Sequence, residues 1–132
     1  MNRLKYAIFL ISILMIGVIS CKKDNNSKPT IQLTSADSGK ALAVAQGQKI
    51  SITLANPGDG GFNFNTWQYD SSVLQLNSHT HIPPANPDLI GNYGTDVWVF
   101  TTLKSGTTTL SISATRTSAE VVSMFADTVK VQ

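Results

Sequence analysis

Apolar and hydroxyl residues alternate along this chain with a period of two. Ile50, Ile52 and Leu54 are separated by Ser51 and Thr53. Leu110, Ile112 and Ala114 are separated by Ser111 and Ser113, and Val129 and Val131 flank Lys130. Successive side chains of a strand point to opposite faces, so each run sets one face on a core and the other in water. No helical period lasts longer than a turn. Threonine, which suits a pleated surface, occurs only from Thr30 onward. Turn-forming residues separate the runs. Ala45-Gln46-Gly47-Gln48 joins two short strands, residues 56–61 form a loop, and Lys104-Ser105-Gly106 reads as a tight hairpin turn. The pattern predicts strands at 31–34, 41–45, 48–54, 65–70, 73–78, 95–103, 107–116 and 121–131. Strands this frequent indicate an all-β sandwich or barrel. The run at 95–103 departs from alternation, because Val97, Trp98, Val99 and Phe100 are all apolar. It is expected to be central and buried on both faces, or covered by a loop.

The N-terminus follows a different rule. Arg3 and Lys5 precede an apolar stretch from Tyr6 to Ile19, and Ser20-Cys21 follows. The stretch is too short to span a bilayer as a mature helix and suits the core of a signal peptide. A small residue before the lone cysteine resembles the bacterial lipoprotein signal. That resemblance implies cleavage before Cys21 and lipidation of its thiol. It implies 1–20 as signal peptide, 21–29 as lipidated cysteine and flexible tether, and 30–132 as the folded domain. Localisation would be the exported side of the bacterial cell envelope, with the lipid in a membrane, the outer membrane above all. Lys22 to Pro29 is polar and lacks aliphatic residues, which fits a tether. A charged run at this place also resembles surface-export signals of some bacterial lipoproteins, so surface display and a periplasmic location both stay open.

Charge narrows the partners. Two of the ten basic residues lie in the signal, and three more (Lys22, Lys23, Lys28) lie in the tether. From Thr30 onward five basic residues face seven acidic ones. No basic patch is present to neutralise phosphates, so nucleic acid is not an expected partner. With one cysteine in the chain, the domain holds no internal disulfide and depends on its packed core. About 100 residues suffice for one such core, and a monomer is expected.

Three segments stand out as loops. Asn56-Pro57-Gly58-Asp59-Gly60-Gly61-Phe62 combines a fixed proline with three glycines that permit close backbone approach. It lacks the lysine and following helix of a phosphate loop. Residues 82–94 carry Pro83, Pro84 and Pro87, then Gly91-Asn92-Tyr93-Gly94. Loops this long are often functional, and Tyr93 between two glycines is expected to be exposed. The third segment is Arg116-Thr117-Ser118-Ala119, with the only arginine beyond the signal. Each has a plain alternative: a connector, a loop packed on its own Leu89 and Ile90, and a solvated hairpin end.

His79 and His81, two residues apart, would point the same way from a strand. Two histidines begin a metal site, but only Asp88 offers itself nearby as a third ligand, and neither a metal nor a cofactor is expected. Serine, histidine and acid show no catalytic signature, so no enzyme activity is expected.

The order of these segments is specific. An Asn-Pro loop ends in Gly61-Phe62 and is followed by Trp67. A Pro-Pro stretch leads into Leu89-Ile90-Gly91-Asn92-Tyr93-Gly94-Thr95-Asp96-Val97-Trp98-Val99-Phe100. Leu103-Lys104-Ser105-Gly106-Thr107-Thr108-Thr109-Leu110 comes next, in a strand that ends at Arg116. This order resembles the chagasin family of cysteine-peptidase inhibitors over roughly residues 40–132. The resemblance implies an immunoglobulin-like antiparallel β-sandwich of seven or eight strands. It implies that three neighbouring loops enter the active-site cleft of a papain-like cysteine peptidase and block it without covalent chemistry. The residues carried over are Asn56 to Phe62, Gly91 to Gly94, and Arg116 to Ser118.

All three loops depart from the family pattern. The first typically reads Asn-Pro-x-Thr-Gly. Here Gly58-Asp59-Gly60 replaces x-Thr, one residue longer and acidic at its tip. The second typically reads Gly-x-Gly-Gly, and Tyr93 replaces a glycine. The third typically reads Arg-Pro-Trp, and Thr117 and Ser118 stand where Pro-Trp would be. A second function therefore stays open: an immunoglobulin-like binding or adhesion module of the cell envelope. It would grip another protein or a glycan with the same loop end.

Overall fold

The computed structural model describes residues 28–132. The proposed signal peptide and Cys21 lie outside the described residues. Eight strands run in chain order: β1 (Ile31–Thr34), β2 (Ala41–Val44), β3 (Lys49–Ala55), β4 (Asn63–Gln68), β5 (Leu74–Ile82), β6 (Thr95–Thr102), β7 (Gly106–Thr117) and β8 (Glu120–Val131). Two single 3-10 turns, Ser35–Asp37 and Pro57–Gly60, are the helical elements among the described residues. The strands form two four-stranded sheets, ordered β1-β3-β6-β5 and β2-β8-β7-β4. The first two strands join the edges by parallel pairing, β1 with β3 and β2 with β8. The remaining pairs are antiparallel.

The alternating runs build the core between the sheets. Ile50, Ile52 and Leu54 of β3 and Trp98 and Phe100 of β6 meet Leu110 and Ile112 of β7 and Phe125 and Val129 of β8. Burying each such side chain contributes about 1.5–3 kcal/mol relative to leaving it in water. Phe64 packs edge-on against Trp98 at 4.8 Å, and Tyr69 against Phe100 at 5.2 Å. Among the described residues, the core is built from positions within 31–131.

Three local expectations need correction. Strand β6 alternates after all: Asp96, Trp98, Phe100 and Thr102 are buried, while Val97 and Val99 are half-buried. It lies between β3 and β5. Residues 103–105 are not a hairpin turn, because β6 and β7 belong to different sheets. The glycine opens β7 in the opposite layer. Finally β5 continues beyond residue 78 to Ile82 and takes His79 and His81 into the sheet.

That extension contains a bulge. Leu76 pairs with Phe100 and Ser78 with Val99, which leaves Asn77 as the extra residue. A bulge re-aims the side chains beyond it. With uninterrupted pairing Ser78 and Thr80 would oppose Trp98 and Asp96. Instead His79 opposes Trp98 and His81 opposes Asp96, so both histidines face the buried side.

Candidate functional site: three loops at one end

Strand direction brings the three loops together. β3 ends at Ala55 opposite Thr95, the first residue of β6, and Thr95 also pairs with Ile82, the last residue of β5. In the other sheet, Asn63 at the start of β4 pairs with Thr115 near the end of β7. Loops 56–62, 83–94 and 118–119 therefore leave the sandwich at the same end. The chain enters at the opposite end. There Lys28 Nζ donates to the Gln46 carbonyl and Gln48 Nε2 donates to the Pro29 carbonyl, each at 2.8 Å.

The first loop is more ordered than its glycine content suggests. Asn56 caps the 3-10 turn: its Oδ1 accepts the Gly58 N–H at 2.9 Å, with Pro57 in the first helical position. Gly61 closes the turn in the left-handed region at φ 72°, its N–H donating to the Gly58 carbonyl. The other half of the Asn56 side chain points inward. Its Nδ2 donates to Asp96 Oδ2 at 2.7 Å.

The second loop is tied to the first by main chain and by contact. The Asn56 N–H donates to the Gly94 carbonyl at 2.9 Å. Asn92 Oδ1 accepts the Gly94 N–H at 3.0 Å, which closes a local turn around Tyr93. Tyr93 is half exposed, as expected of a residue at the loop tip, but one side of its ring covers Gly58. Asp59 at the tip of the first loop meets Gly91. Ile90, 99% exposed, and Leu89, 56% exposed, do not pack beneath the loop and stand out from it. A cleft of about 380 Å³ lies between the loops, lined by Asn56, Gly58, Phe62, His81, Tyr93 and Asp96.

The third segment supports the first from the side. Arg116 is the extra residue of a bulge, since Thr115 pairs with Val121 and Thr117 with Glu120. Its guanidinium makes a two-point ion pair with Glu120, both contacts 2.8 Å. It also lies 5.2 Å from the Phe62 ring centroid and donates to the Gly60 carbonyl at 3.4 Å. Thr117 and Ser118 are exposed at the hairpin end.

Asp96 was not among the expected site residues, and it joins the site to the core. It is 3% exposed. His79 Nε2 lies 2.8 Å from its Oδ1 and His81 Nδ1 lies 3.1 Å from its Oδ2. His79 also stacks flat on Trp98 at 4.4 Å and meets Trp67 edge-on at 5.1 Å. Burial works against the Asp96 charge. Hydrogen bonds from Asn56, His81 and His79 outweigh it and hold the carboxyl below the usual carboxylate range. The acid that meets both histidines is thus Asp96 and not Asp88, which lies in the exposed part of loop 83–94. Among the described residues, no group of three His, Cys, Asp or Glu is placed to hold a metal ion.

Comparison with known proteins agrees with this fold. A search of curated proteins finds no match. Among solved structures, the cysteine protease inhibitor EhICP2 of Entamoeba histolytica superposes with a TM-score of 0.66 at 20% identity, covering 78% of this chain and 96% of that one. The solution structure of amebosin gives 0.59 at 20% identity, covering 80% of this chain and 100% of that one. PbICP-C, solved in complex with falcipain-2, gives 0.52 at 14% identity, with coverage of 81% and 92%. Identities this low show a shared fold. The sequence itself decides the family: residues 43–132 match the model of the Chagasin family peptidase inhibitor I42. That match spans more than half of the chain, and this protein belongs to the chagasin family of peptidase inhibitors.

Proposed function

We propose that this chain is a lipid-anchored inhibitor of papain-like cysteine peptidases that occludes the active-site cleft with the three-loop end of its sandwich. As a member of a peptidase-inhibitor family it is not an enzyme. The observation that carries the reading is the mutual bracing of the loops. Asn56 bonds the backbone of the second loop, and Arg116 bonds the backbone of the first. A cleft-filling wedge pays little ordering entropy on binding when its loops already hold one another. The PbICP-C complex with falcipain-2 supports a peptidase as the kind of partner.

The contact surface assigned to the target is Asn56 to Phe62 and Gly91 to Gly94, which carry most of the binding, with Arg116 to Ser118 at its side. Arg116 acts chiefly as a brace, being committed to Glu120 and Phe62. The decisive experiment is a titration of papain with the soluble domain 28–132. Residual activity should fall stoichiometrically or along a binding curve. No inhibition of any papain-like enzyme would overturn the reading. The alternative of a glycan-binding module gains nothing from the tryptophans, since Trp98 is fully buried and Trp67 packs against the core.

Lipidation at Cys21 completes the proposal. The chain enters the sandwich at the end remote from the loops, so an anchor there would direct the loops away from the membrane surface. Cys21→Ser should yield protein that no longer partitions with membranes. Unchanged partitioning and an unchanged intact mass would refute the anchor.

A further inference from the structure

The carboxylate of Asp96 sits where a core side chain is expected. It follows the inward pattern of Trp98, Phe100 and Thr102 along β6. An apolar residue there would serve the core better, because a buried charge contributes to stability only when every partner is in place. All its partners are in place. A carboxylate only accepts hydrogen bonds, so His79 donates through Nε2–H and His81 through Nδ1–H. Asn56 supplies the third donor, on the same oxygen as His81. This fixes the orientation of the Asn56 amide, since its nitrogen must face Asp96. Its oxygen is then left to face the Gly58 N–H and close the first loop.

We propose that Asp96, His79 and His81 form a positioning cluster that sets the shape of the first loop through Asn56. The bulge at Asn77 exists in this account to bring the two histidines onto the buried face. The proposal rests on the inhibitor reading only in assigning a use to the loop shape. Asn63 lines the cleft with His81 and Asp96, and Asp59, Asn92 and Tyr93 line the adjoining groove with His81. Arg116 and Glu120 pair with each other on the β7–β8 side of the first loop. None of these is hydrogen-bonded to Asp96, so the histidines and Asn56 carry the coupling.

The test compares two double variants of the domain 28–132. His79→Leu with His81→Leu removes both donors. His79→Gln with His81→Asn restores an amide nitrogen near each lost ring nitrogen. Hydrogen exchange is read at the Gly58 amide and, as a control, at a central amide such as Val129. Papain inhibition is measured beside it. Loss of the donors should speed Gly58 exchange, and weaken inhibition, by on the order of tenfold. Val129, which reports global opening, should speed by less than Gly58, and the Gln/Asn pair should return both readouts to within about threefold of the parent. Unchanged Gly58 exchange in the Leu pair overturns the proposal. So does an equal acceleration at Gly58 and Val129, which would mean general destabilisation. Should the Leu pair not fold, His81→Leu alone makes the same comparison, because that side chain is 47% exposed. A parent protein that leaves papain active defeats the inhibitor reading, while Gly58 exchange still decides the positioning cluster.

Discussion

A β-carbon on Gly58 would lie 2.6 Å from Cδ1 of Tyr93 and 2.9 Å from its Cγ. The two most unusual residues of the loop end therefore fit each other. A glycine in the first loop admits the ring, and the ring covers the glycine. The pairing leaves a half-exposed aromatic between the first and second loops.

This coupling predicts non-additive mutations. Gly58→Ala alone should destabilise the domain by about 1 kcal/mol through overpacking, and should weaken peptidase inhibition. In a Tyr93→Ala background most of that cost should disappear. The remainder reflects Asn56 Oδ1, which the added carbon would meet at 2.9 Å. A double-mutant cycle in urea measures the coupling. Purely additive effects would mean that the ring does not occupy this place in solution.

Gly94 carries a stricter demand. Its φ is +80°, and a β-carbon there would stand 2.1 Å from the Ile82 carbonyl oxygen. Backbone cannot yield as a side-chain tip can. Gly94→Ala should therefore cost on the order of 3 kcal/mol. In a domain of this size that lowers the midpoint of thermal unfolding by roughly 10 °C or more. It should also disturb the first loop, because the Gly94 carbonyl accepts the Asn56 N–H. A near-neutral result by calorimetry would refute this.

Much of the architecture was legible in the sequence. Alternation at Ile50–Leu54 and Leu110–Ala114 marks the two inner faces, because one face of each strand must be dry. The loop order brought Asn56 and Tyr93 to one end of the sandwich. What the sequence hid was non-local. A turn at 103–105 reads the same whether the next strand returns beside the last or crosses to the other layer. Asn77 carries no mark of a bulge, since a one-residue register shift depends on the partner strand. Without that shift His79 and His81 could not be aimed at Asp96. Read along β6 alone, Asp96 carries no sign of those partners.

Acid should test the buried carboxylate. Asp96 holds its proton less tightly in the folded domain than its ordinary value of 3.8 allows. The unfolded chain therefore binds more protons than the native state as pH falls below about 5, and stability declines. The contribution of Asp96 is fully present above the ordinary carboxylate value and is lost as pH falls through its lower folded value. Asp37 and Asp70 are shifted the same way but lie at the surface, so the parent alone does not isolate Asp96. The difference between parent and Asp96→Asn does: urea midpoints should diverge most near neutrality and converge as pH falls below the ordinary carboxylate value. A constant gap across that range would mean that the charge of Asp96 does not contribute.

The third loop offers the gain-of-function test. Thr117 pairs with Glu120 across the two-residue turn Ser118–Ala119, so its main chain belongs to the hairpin. Proline at 117 would remove a ladder donor and fix φ there. Restoring the full Pro-Trp pattern would therefore exchange hairpin order for contact. Ser118 carries no such constraint: it is exposed, in the turn itself, and bonded to nothing through its side chain. Ser118→Trp alone should add the missing aromatic anchor without loosening Arg116 from Glu120. A well-placed anchor contributes about 2 kcal/mol, and about 1.4 kcal/mol is tenfold in dissociation constant. Inhibition of a papain-like peptidase should tighten by tenfold or more, with the thermal midpoint unchanged. The double variant with Thr117→Pro should tighten less and unfold at lower temperature. If Ser118→Trp leaves inhibition unchanged while the parent inhibits well, the hairpin end does not reach the peptidase, and the first two loops alone form the wedge.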